Sequence, residues 1–311
     1  MRVLVTGGAG FIGSQIADAY LEAGHDVAVL DNLSTGLREN LNQDAAFYDV
    51  DLTDQEGVIR AMSEFQPEAV NHQAAHLSVS ESVEHPQFTA KTNILGFLNL
   101  MEAGRKHGLK RVVAASTGGA LYGDTDVIPT PETHPTRPVS PYGVSKLSME
   151  QYLHYYNVGY GLEWVTLRYA NVYGPRQNPQ GETGVIAVFL DRMGTGKQPV
   201  IFGDGTQTRD YVYVDDVVQA NLAALTNGRE AYNIGTGLET DVNTVFEALQ
   251  QAMGTEFPEQ HGDPRPGEQQ RSCLDASRAR SELGWQPTVS FKEGVAQTVE
   301  WFRNHYQPDN S

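Results

Sequence analysis

Short apolar runs alternate with longer stretches of helical periodicity over the first half of the chain. Runs of four to six mostly apolar residues occupy positions 2–6, 27–30, 46–50, 69–72, 111–115 and 163–168. Strands that are apolar on both faces suit a parallel sheet covered by helices on either side. Because helical stretches separate most of these runs, the pattern predicts an α/β fold. We expect a Rossmann-type, doubly wound parallel sheet with a smaller C-terminal α/β domain.

Helical periodicity and composition also divide the chain. Helices are predicted up to about residue 23 and over 54–65, 86–107, 141–158, 185–193, 217–225, 243–252, 275–283 and 291–306. After residue 171, loops and short strands replace the regular alternation. We therefore predict one domain over 1–171, rejoined by about 209–236, and a second over 172–311. Asp215 and Asp216 are predicted to cap the helix over 217–225.

Three glycines follow the first strand with the spacing Gly-x-x-Gly-x-x-Gly, at Gly7, Gly10 and Gly13. Gly7 allows a tight turn, Gly10 lets backbone approach a pyrophosphate at a helix N-terminus, and Gly13 lets helix and strand pack closely. Asp31 ends the second strand, where a carboxylate accepts hydrogen bonds from ribose hydroxyls and repels a 2′-phosphate. This pattern predicts a dinucleotide site that prefers NAD to NADP.

Composition and charge exclude several classes of protein. The chain has 311 residues, 40% of them hydrophobic, and a net charge of −17, which argues against nucleic acid or an anionic membrane as a partner. No apolar run approaches the roughly 20 residues of a membrane span, and no signal peptide is visible. The single cysteine, Cys273, excludes an internal disulfide and suits a reducing compartment. We therefore expect a cytoplasmic protein.

Three histidines near the fourth strand raise the question of a metal. They are His72, His76 and His85. Their spacing matches no zinc pattern, and the chain has only one cysteine. We predict no metal site.

Candidate chemistry lies in two hydroxyl-bearing segments. Tyr142 and Lys146 are four residues apart in the first turns of a predicted helix, so they share one face. An ammonium beside the phenol favours the phenolate, which is a better base. Ser116 and Thr117 end the fifth strand, at the edge where an open α/β sheet places its ligand. With a nicotinamide cofactor, these groups predict the oxidation or reduction of a carbinol.

The glycine spacing together with Tyr142 and Lys146 resembles the short-chain dehydrogenase/reductase superfamily in its extended form. More specific segments resemble the UDP-glucose 4-epimerases and their close relatives, and the resemblance covers nearly the whole chain. These segments are 6–14, 31–36, 140–146, 167–176, 201–205, 209–212 and 265–268.

That resemblance implies NAD as cofactor and a UDP-sugar as substrate, which is oxidised to a bound 4-keto intermediate and reduced again from the opposite face. The first domain would bind NAD and the second the nucleotide-sugar. The resemblance also implies a homodimer through the helices over 86–107 and 141–158.

Particular residues receive roles from the same resemblance. Tyr142 is the base, Lys146 binds the nicotinamide ribose, and Thr117, in preference to Ser116, orients the sugar oxygen, because Gly118 stands where the family often has serine or threonine. The residues implied for the cofactor are Gly7, Gly10, Phe11, Ile12, Gly13, Asp31, Asn32, Ser34, Asp51, Leu52, Gln73, Ala74, Ala75, Tyr142, Lys146 and Tyr169. Those implied for the substrate are Thr117, Asn171, Val185, Ile186, Val200, Ile201, Phe202, Arg209, Arg265, Glu268 and Ser272.

The sequence leaves three questions open. A nucleotide-sugar dehydratase or decarboxylase on the same scaffold is one alternative, although such relatives usually carry an acid where Gly118 and Gly119 stand here. A non-catalytic NAD-binding regulator is another, although such proteins typically lose the tyrosine or the lysine. Ser272 raises the third question, because in the resembling epimerases a small residue at this position admits an N-acetyl group. We therefore expect the N-acetylated sugar pair to be accepted as well.

Overall fold

Seven parallel strands form the central sheet of the structure, a computed structural model that describes residues 1–178, 184–265 and 269–305. The strands of the described residues, inside and outside this sheet, are β1 (Arg2–Thr6), β2 (Asp26–Asp31), β3 (Ala46–Asp49), β4 (Ala69–His72), β5 (Arg111–Thr117), β6 (Glu163–Tyr169), β7 (Asn171–Tyr173), β8 (Ile201–Phe202), β9 (Thr208–Arg209), β10 (Tyr211–Tyr213), β11 (Glu230–Ile234), β12 (Thr240–Asp241), β13 (His261–Gly262) and β14 (Arg271–Ser272). The sheet runs in the order β11-β6-β5-β4-β1-β2-β3. The order reverses between β1 and β4, so a crevice opens there at the carboxyl ends of the strands.

Helices cover both faces of this sheet. They are α1 (Phe11–Glu22), α2 (Gln55–Phe65), α3 (Val79–Glu84), α4 (Pro86–Ala90), α5 (Gly96–Lys106), α6 (Gly118–Tyr122), α7 (Pro141–Tyr160), α8 (Val185–Gly194), α9 (Val214–Thr226), α10 (Val242–Met253), α11 (Ser277–Glu282) and α12 (Phe291–His305). Helices α2, α5 and α7 bury Met62, Phe97 and Leu153 against one face. Helix α1 buries Ile16 and Tyr20, and α9 buries Val218, against the other. The predicted doubly wound Rossmann-type fold is therefore confirmed.

A second apolar core gathers the short strands and the C-terminal helices. Phe189 of α8 meets Phe246 of α10 edge-on, with ring centroids 5.7 Å apart, and Phe302 of α12 joins the same cluster. Strand β9 pairs in parallel with β14 and antiparallel with β12. Strand β11 lies in the main sheet beside β6 although it follows several of these elements in the chain.

Two predicted elements differ from the structure. The helix expected over 86–107 is α4 and α5 joined by a π-helical segment, Lys91–Leu95, which periodicity alone does not distinguish from α-helix. The Asp215 and Asp216 prediction was wrong, because α9 begins at Val214 and includes both residues. Asp216 is instead buried and accepts the backbone N–H of Thr288 at 2.8 Å, so it fastens a distant loop to α9.

Within the described residues, no helix is both long and apolar enough to cross a membrane.

Candidate active site

The glycine turn after β1 lets neighbouring segments of the backbone lie very close to it. Gly7 has a φ of +70°, and a Cβ there would lie 2.6 Å from the backbone nitrogen of Ala74. A Cβ on Gly13 would lie 2.2 Å from the carbonyl oxygen of Gly7. Gly10 is the N-cap of α1 and supplies no side-chain hydrogen bond, so the first N–H groups of the helix keep their capacity to bind an anion.

Gly8 is a further constrained position that the sequence pattern missed. A Cβ on Gly8 would lie 2.7 Å from a methyl group of Val29 on β2. The constraint comes from a neighbouring strand, so spacing along the chain could not reveal it.

Asp31 lies beside this turn and fixes its geometry. Its carboxylate accepts the backbone N–H of Ala9 at 3.0 Å and that of Leu33 at 2.8 Å, and the residue is buried. Next to it, Asn32 donates to Asp51 at 2.7 Å and accepts the Ser34 hydroxyl at 2.7 Å. The predicted ribose acid and the predicted adenine-end residue Asp51 are thus brought to the same end of the sheet. Leu52, the next predicted residue, is buried in the core below them.

A buried polar network connects the cofactor residues predicted after β4 and at the end of β6. Gln73 donates to Asn71 at 2.6 Å and to the Tyr169 hydroxyl at 3.2 Å. Asn221 of α9 donates to the same hydroxyl at 2.8 Å. Burial raises the pKa of Tyr169 to about 12, so this phenol is neutral and acts by hydrogen bonding. Asn71 and Asn221 hold the Gln73 and Tyr169 side chains in place. No motif in the sequence indicated these two residues.

Tyr142 stands at the start of α7, where the capping pattern of the sequence places it. Ser140 caps the helix by accepting the N–H of Gly143 at 3.1 Å, and Pro141 occupies the first turn. The Tyr142 side chain is hydrogen-bonded to Thr117 at the end of β5. Burial raises the pKa of Tyr142, and the Thr117 hydrogen bond offsets part of that rise, so the tyrosine keeps its proton at neutral pH in this state.

The Ser116 hydroxyl has a different hydrogen-bond partner from that of Thr117. Its hydroxyl donates to the buried carboxylate of Glu150 at 2.6 Å. Of the two candidate hydroxyls, the structure therefore brings Thr117, and not Ser116, to Tyr142.

Lys146 lies one turn further along α7 and is buried. Its Nζ donates to the carbonyl of Ala115 at 2.8 Å and lies 6.0 Å from the centroid of the Tyr142 ring. Burial lowers the pKa of Lys146 to about 8, against an opposing influence of Glu150. His72 on β4 is also buried, and burial with the nearby Lys146 charge lowers its pKa to about 3, so its ring is neutral.

The π-helical segment contributes a residue that the sequence analysis did not single out. Asn93 accepts the backbone N–H of His76 at 2.7 Å and donates to its carbonyl at 3.0 Å and to Ser145 at 3.0 Å. Ser145 in turn donates to the carbonyl of Tyr142 at 2.7 Å. Asn93 therefore ties the segment after Ala75 to the first turn of α7.

His76, one of the three histidines near β4, contacts two neighbouring side chains. His76 lies 2.9 Å from the Thr89 hydroxyl and 2.7 Å from Glu81 through its two ring nitrogens. Among the described residues, no group of three or more potential metal ligands is found.

The other half of the site comes from the short strands. Ser272 of β14 lies opposite Arg209 of β9 in parallel register. Asn171 opens β7 and donates its N–H to the carbonyl of Asp210 at 2.9 Å. A Cβ on Gly119 would lie 3.5 Å from the Ser272 hydroxyl, so Ser272 faces the segment that follows Thr117. Ser272 is buried and does not lie on an exposed loop.

Phe202 and Arg265 line an open cleft of about 680 Å³. The Arg265 guanidinium lies over the Phe202 ring, 4.4 Å from its centroid, so the two groups are stacked in the wall of the cleft. Val200, just before β8, and Val185, the first residue of α8, are half-buried. Two further predicted residues are placed differently: Ile186 and Ile201 are buried in the second core, so their side chains do not face a ligand. Glu268 lies outside the described residues.

Comparison with known proteins gives one consistent result. Residues 3–235 match the model of the NAD dependent epimerase/dehydratase family. The UDP-glucose 4-epimerase of Thermotoga maritima, solved with UDP-glucose, is 51% identical with a TM-score of 0.96, covering 98% of this chain and 99% of that one. The UDP-glucose 4-epimerase of Thermus thermophilus, solved with NAD, is 48% identical with a TM-score of 0.95 and covers 98% and 100%. The UDP-N-acetylglucosamine 4-epimerase of Methanobrevibacter ruminantium, solved with UDP-N-acetylmuramic acid, is 34% identical with a TM-score of 0.92 and covers 98% and 99%.

Proposed function

Because the chain belongs to the NAD dependent epimerase/dehydratase family, we propose that it interconverts UDP-glucose and UDP-galactose by epimerisation at C4, with NAD as its resident cofactor. The observation that carries the proposal is that Tyr142, Thr117 and Lys146 come together at the end of β5. We propose residues 1–171 with about 209–236 as the NAD-binding domain and 172–311 as the nucleotide-sugar-binding domain. The position of β11 in the main sheet supports the return of the chain to the first domain.

The residues at the crevice fit a dinucleotide. Gly7 and Gly13 carry no side chain, and a Cβ at either position would fill the turn. The N-terminus of α1 has no side-chain cap, so its N–H groups suit a pyrophosphate. Asp31 would accept the ribose hydroxyls, since each of its oxygens accepts one backbone N–H and keeps a further acceptor site. Bound NAD would supply a hydride acceptor that returns the hydride in the same cycle.

The protein's own groups handle the proton. Tyr142 would remove the proton from the C4 hydroxyl as the carbon is oxidised, and return it when the 4-keto sugar is reduced from its other face. Thr117 would hold the same oxygen by hydrogen bonding, because its hydroxyl already meets that of Tyr142. Lys146, charged below its pKa of about 8, would favour the tyrosinate against the burial that opposes it.

The second domain would hold the nucleotide while the sugar rotates. Phe202 and Arg265 offer an aromatic ring and a guanidinium at one cleft, which suit a base and a phosphate. Arg209 and Asn171, carried on β9 and β7, would hold the diphosphate. Strong binding of the diphosphate, with few contacts to the hexose, would let the sugar present either face to the cofactor.

We propose that the N-acetylated pair is also a substrate. Ser272 is small, is buried and faces Gly119, so the pocket on this side is lined by a hydroxymethyl group and a hydrogen. A close-packed pocket rejects only what it cannot house. The 34% identical epimerase from Methanobrevibacter ruminantium supports this part of the proposal.

We also propose a homodimer in the cytoplasm. Large apolar side chains are exposed on α3, α4, the π-helical segment and α7, including Val83, Phe88, Leu95 and Val158, and such a patch favours a protein interface. Light scattering should give a dimer for the wild type and a monomer for Leu95→Glu, whereas Leu238→Glu, at an exposed leucine elsewhere, should stay dimeric. The buried free Cys273 suits a reducing compartment.

Incubation with UDP-galactose, UDP-N-acetylgalactosamine and UDP-glucuronate, followed by identification of the products, tests the function. The expected product from UDP-galactose is UDP-glucose, with no net change in the cofactor. A 4-keto-6-deoxy sugar would favour the dehydratase alternative. Bound NAD with no turnover of any UDP-hexose would favour a regulator.

A further inference from the structure

Three successive turns of α7 are attached to three consecutive residues of β5. Tyr142 is hydrogen-bonded to Thr117, and Lys146 donates to the carbonyl of Ala115. One turn later, Glu150 accepts the Ser116 hydroxyl at 2.6 Å. The first two attachments belong to the proposed catalytic groups, and the third has no role in the mechanism given above.

Glu150 also forms a buried ion pair. Arg168 of β6 donates to its two oxygens at 3.1 and 2.6 Å, and the side chains of Arg168 and Glu150 are 8% and 5% exposed. Arg168 further donates to the Tyr122 hydroxyl at 2.9 Å, and Tyr122 donates to Asn233 of β11 at 2.8 Å. Apolar residues of the same volume often stabilise a core as well as a buried ion pair does. Stability alone is therefore a weak reason for this carboxylate.

We propose that Glu150 is a positioning residue for the epimerisation, in that its carboxylate keeps the Lys146 ammonium charged and, through Ser116, holds the end of β5 so that Thr117 meets Tyr142. The proposal rests on the proposed function, but its first test does not require activity. Glu150 touches neither substrate nor cofactor in the proposed mechanism, and it acts only through Lys146 and Ser116.

The charges around Lys146 agree with this role. On α7 it faces the neutral Tyr142 on one side and Glu150 on the other, and from β4 it faces the neutral ring of His72. Arg168 approaches from β6 and is bound to Glu150. Burial lowers the pKa of Lys146, and Glu150 raises it. Loss of the carboxylate would leave burial and the Arg168 charge, both of which favour a neutral amine.

Titration of Lys146 by nuclear magnetic resonance tests the charge directly. The chain has six lysines, so protein labelled with [ε-¹³C]lysine gives few signals, and Lys146→Arg assigns the one of interest. Glu150→Gln should lower the pKa of Lys146 by about one unit, a tenfold loss of proton affinity. Tyr122→Phe removes a neighbouring hydroxyl and no charge, and it should leave that titration unchanged. An unchanged titration in Glu150→Gln would overturn the proposal.

Two further variants separate charge from packing. Glu150→Gln leaves Arg168 buried and unpaired, so it risks misfolding. The double variant Glu150→Gln, Arg168→Met removes both charges, and it should still show a lowered Lys146 titration. Glu150→Asp keeps the charge and should keep the titration near that of the wild type. A wild-type titration in the double variant, or a shift in Glu150→Asp as large as that in Glu150→Gln, would count against the role.

The pH profile of turnover completes the test in the active enzyme. Because the charged Lys146 supports the tyrosinate, the alkaline limb of kcat should move to lower pH in Glu150→Gln while KM for UDP-galactose changes little. In Glu150→Asp, which keeps the charge, the alkaline limb should lie near its wild-type position. A uniform fall in kcat without movement of the limb would show a merely structural role. Wild-type protein without turnover would refute the proposed function but leave the titration result to decide on Glu150.

Discussion

Replacement of Tyr142 by phenylalanine removes one oxygen from the centre of the proposed site. General-base catalysis contributes about 10²–10⁴ to a rate, which corresponds to about 3–5 kcal/mol of transition-state stabilisation. The lost hydroxyl makes a hydrogen bond to Thr117, which is worth about 1 kcal/mol in folding. Since a domain is stable by about 5–15 kcal/mol, the variant should stay folded. The expected fall in kcat, by at least a hundredfold, therefore comes from the lost base.

The assay is the conversion of UDP-galactose to UDP-glucose, with thermal unfolding and binding of UDP measured beside it. Tyr156→Phe is the matched control, because Tyr156 lies on the same helix, is buried, and donates its hydroxyl to Glu102 at 2.9 Å, away from Tyr142. It should lose about as much stability and keep its activity. Turnover of Tyr142→Phe within tenfold of the wild type would refute the reasoning, as would a loss of UDP binding that accounts for the fall.

Three other predictions follow from single residues. Protein stripped of cofactor should recover activity with NAD and at least tenfold less with NADP, because Asp31 repels a 2′-phosphate; equal recovery would show that Asp31 is misinterpreted. Ser272→Tyr should abolish interconversion of the N-acetylated sugars and spare UDP-glucose and UDP-galactose, since the ring would fill the space beside Gly119. Equal effects on both pairs, or a wild type inert towards N-acetylated sugars, would contradict the proposal that the small Ser272 side chain admits the N-acetyl group. Lys146 binds its proton less tightly in the folded protein, with a pKa of about 8, than in the unfolded chain, where it is 10.5. The unfolded state therefore binds more protons between these values, and the free energy of unfolding should rise with pH across this window. The difference of about two and a half units is worth about 3 kcal/mol, and denaturant unfolding of the wild type against Lys146→Met at both ends of the window measures it.

Local sequence determined the parts of this protein that depend on neighbours along the chain. Apolar runs bounded by turns predict the strands, because burial on both faces leaves few polar positions in them. The glycines at Gly7, Gly10 and Gly13 are constrained within one strand-turn-helix unit, so their spacing alone indicates the turn. Ser140 and Pro141 likewise start α7 and place Tyr142 and Lys146 on one face.

Only the tertiary structure decided which distant groups meet. Glu150 appears in the sequence as one more acid on a helix, and its pairing with Arg168 and Ser116 depends on the order of β5 and β6 beside α7. Gly8 is constrained by Val29 on another strand, and Asp216 fastens Thr288 across the fold instead of capping its own helix. These contacts are chosen by packing and burial over the whole chain, where an unpaired polar group costs more than any local preference supplies.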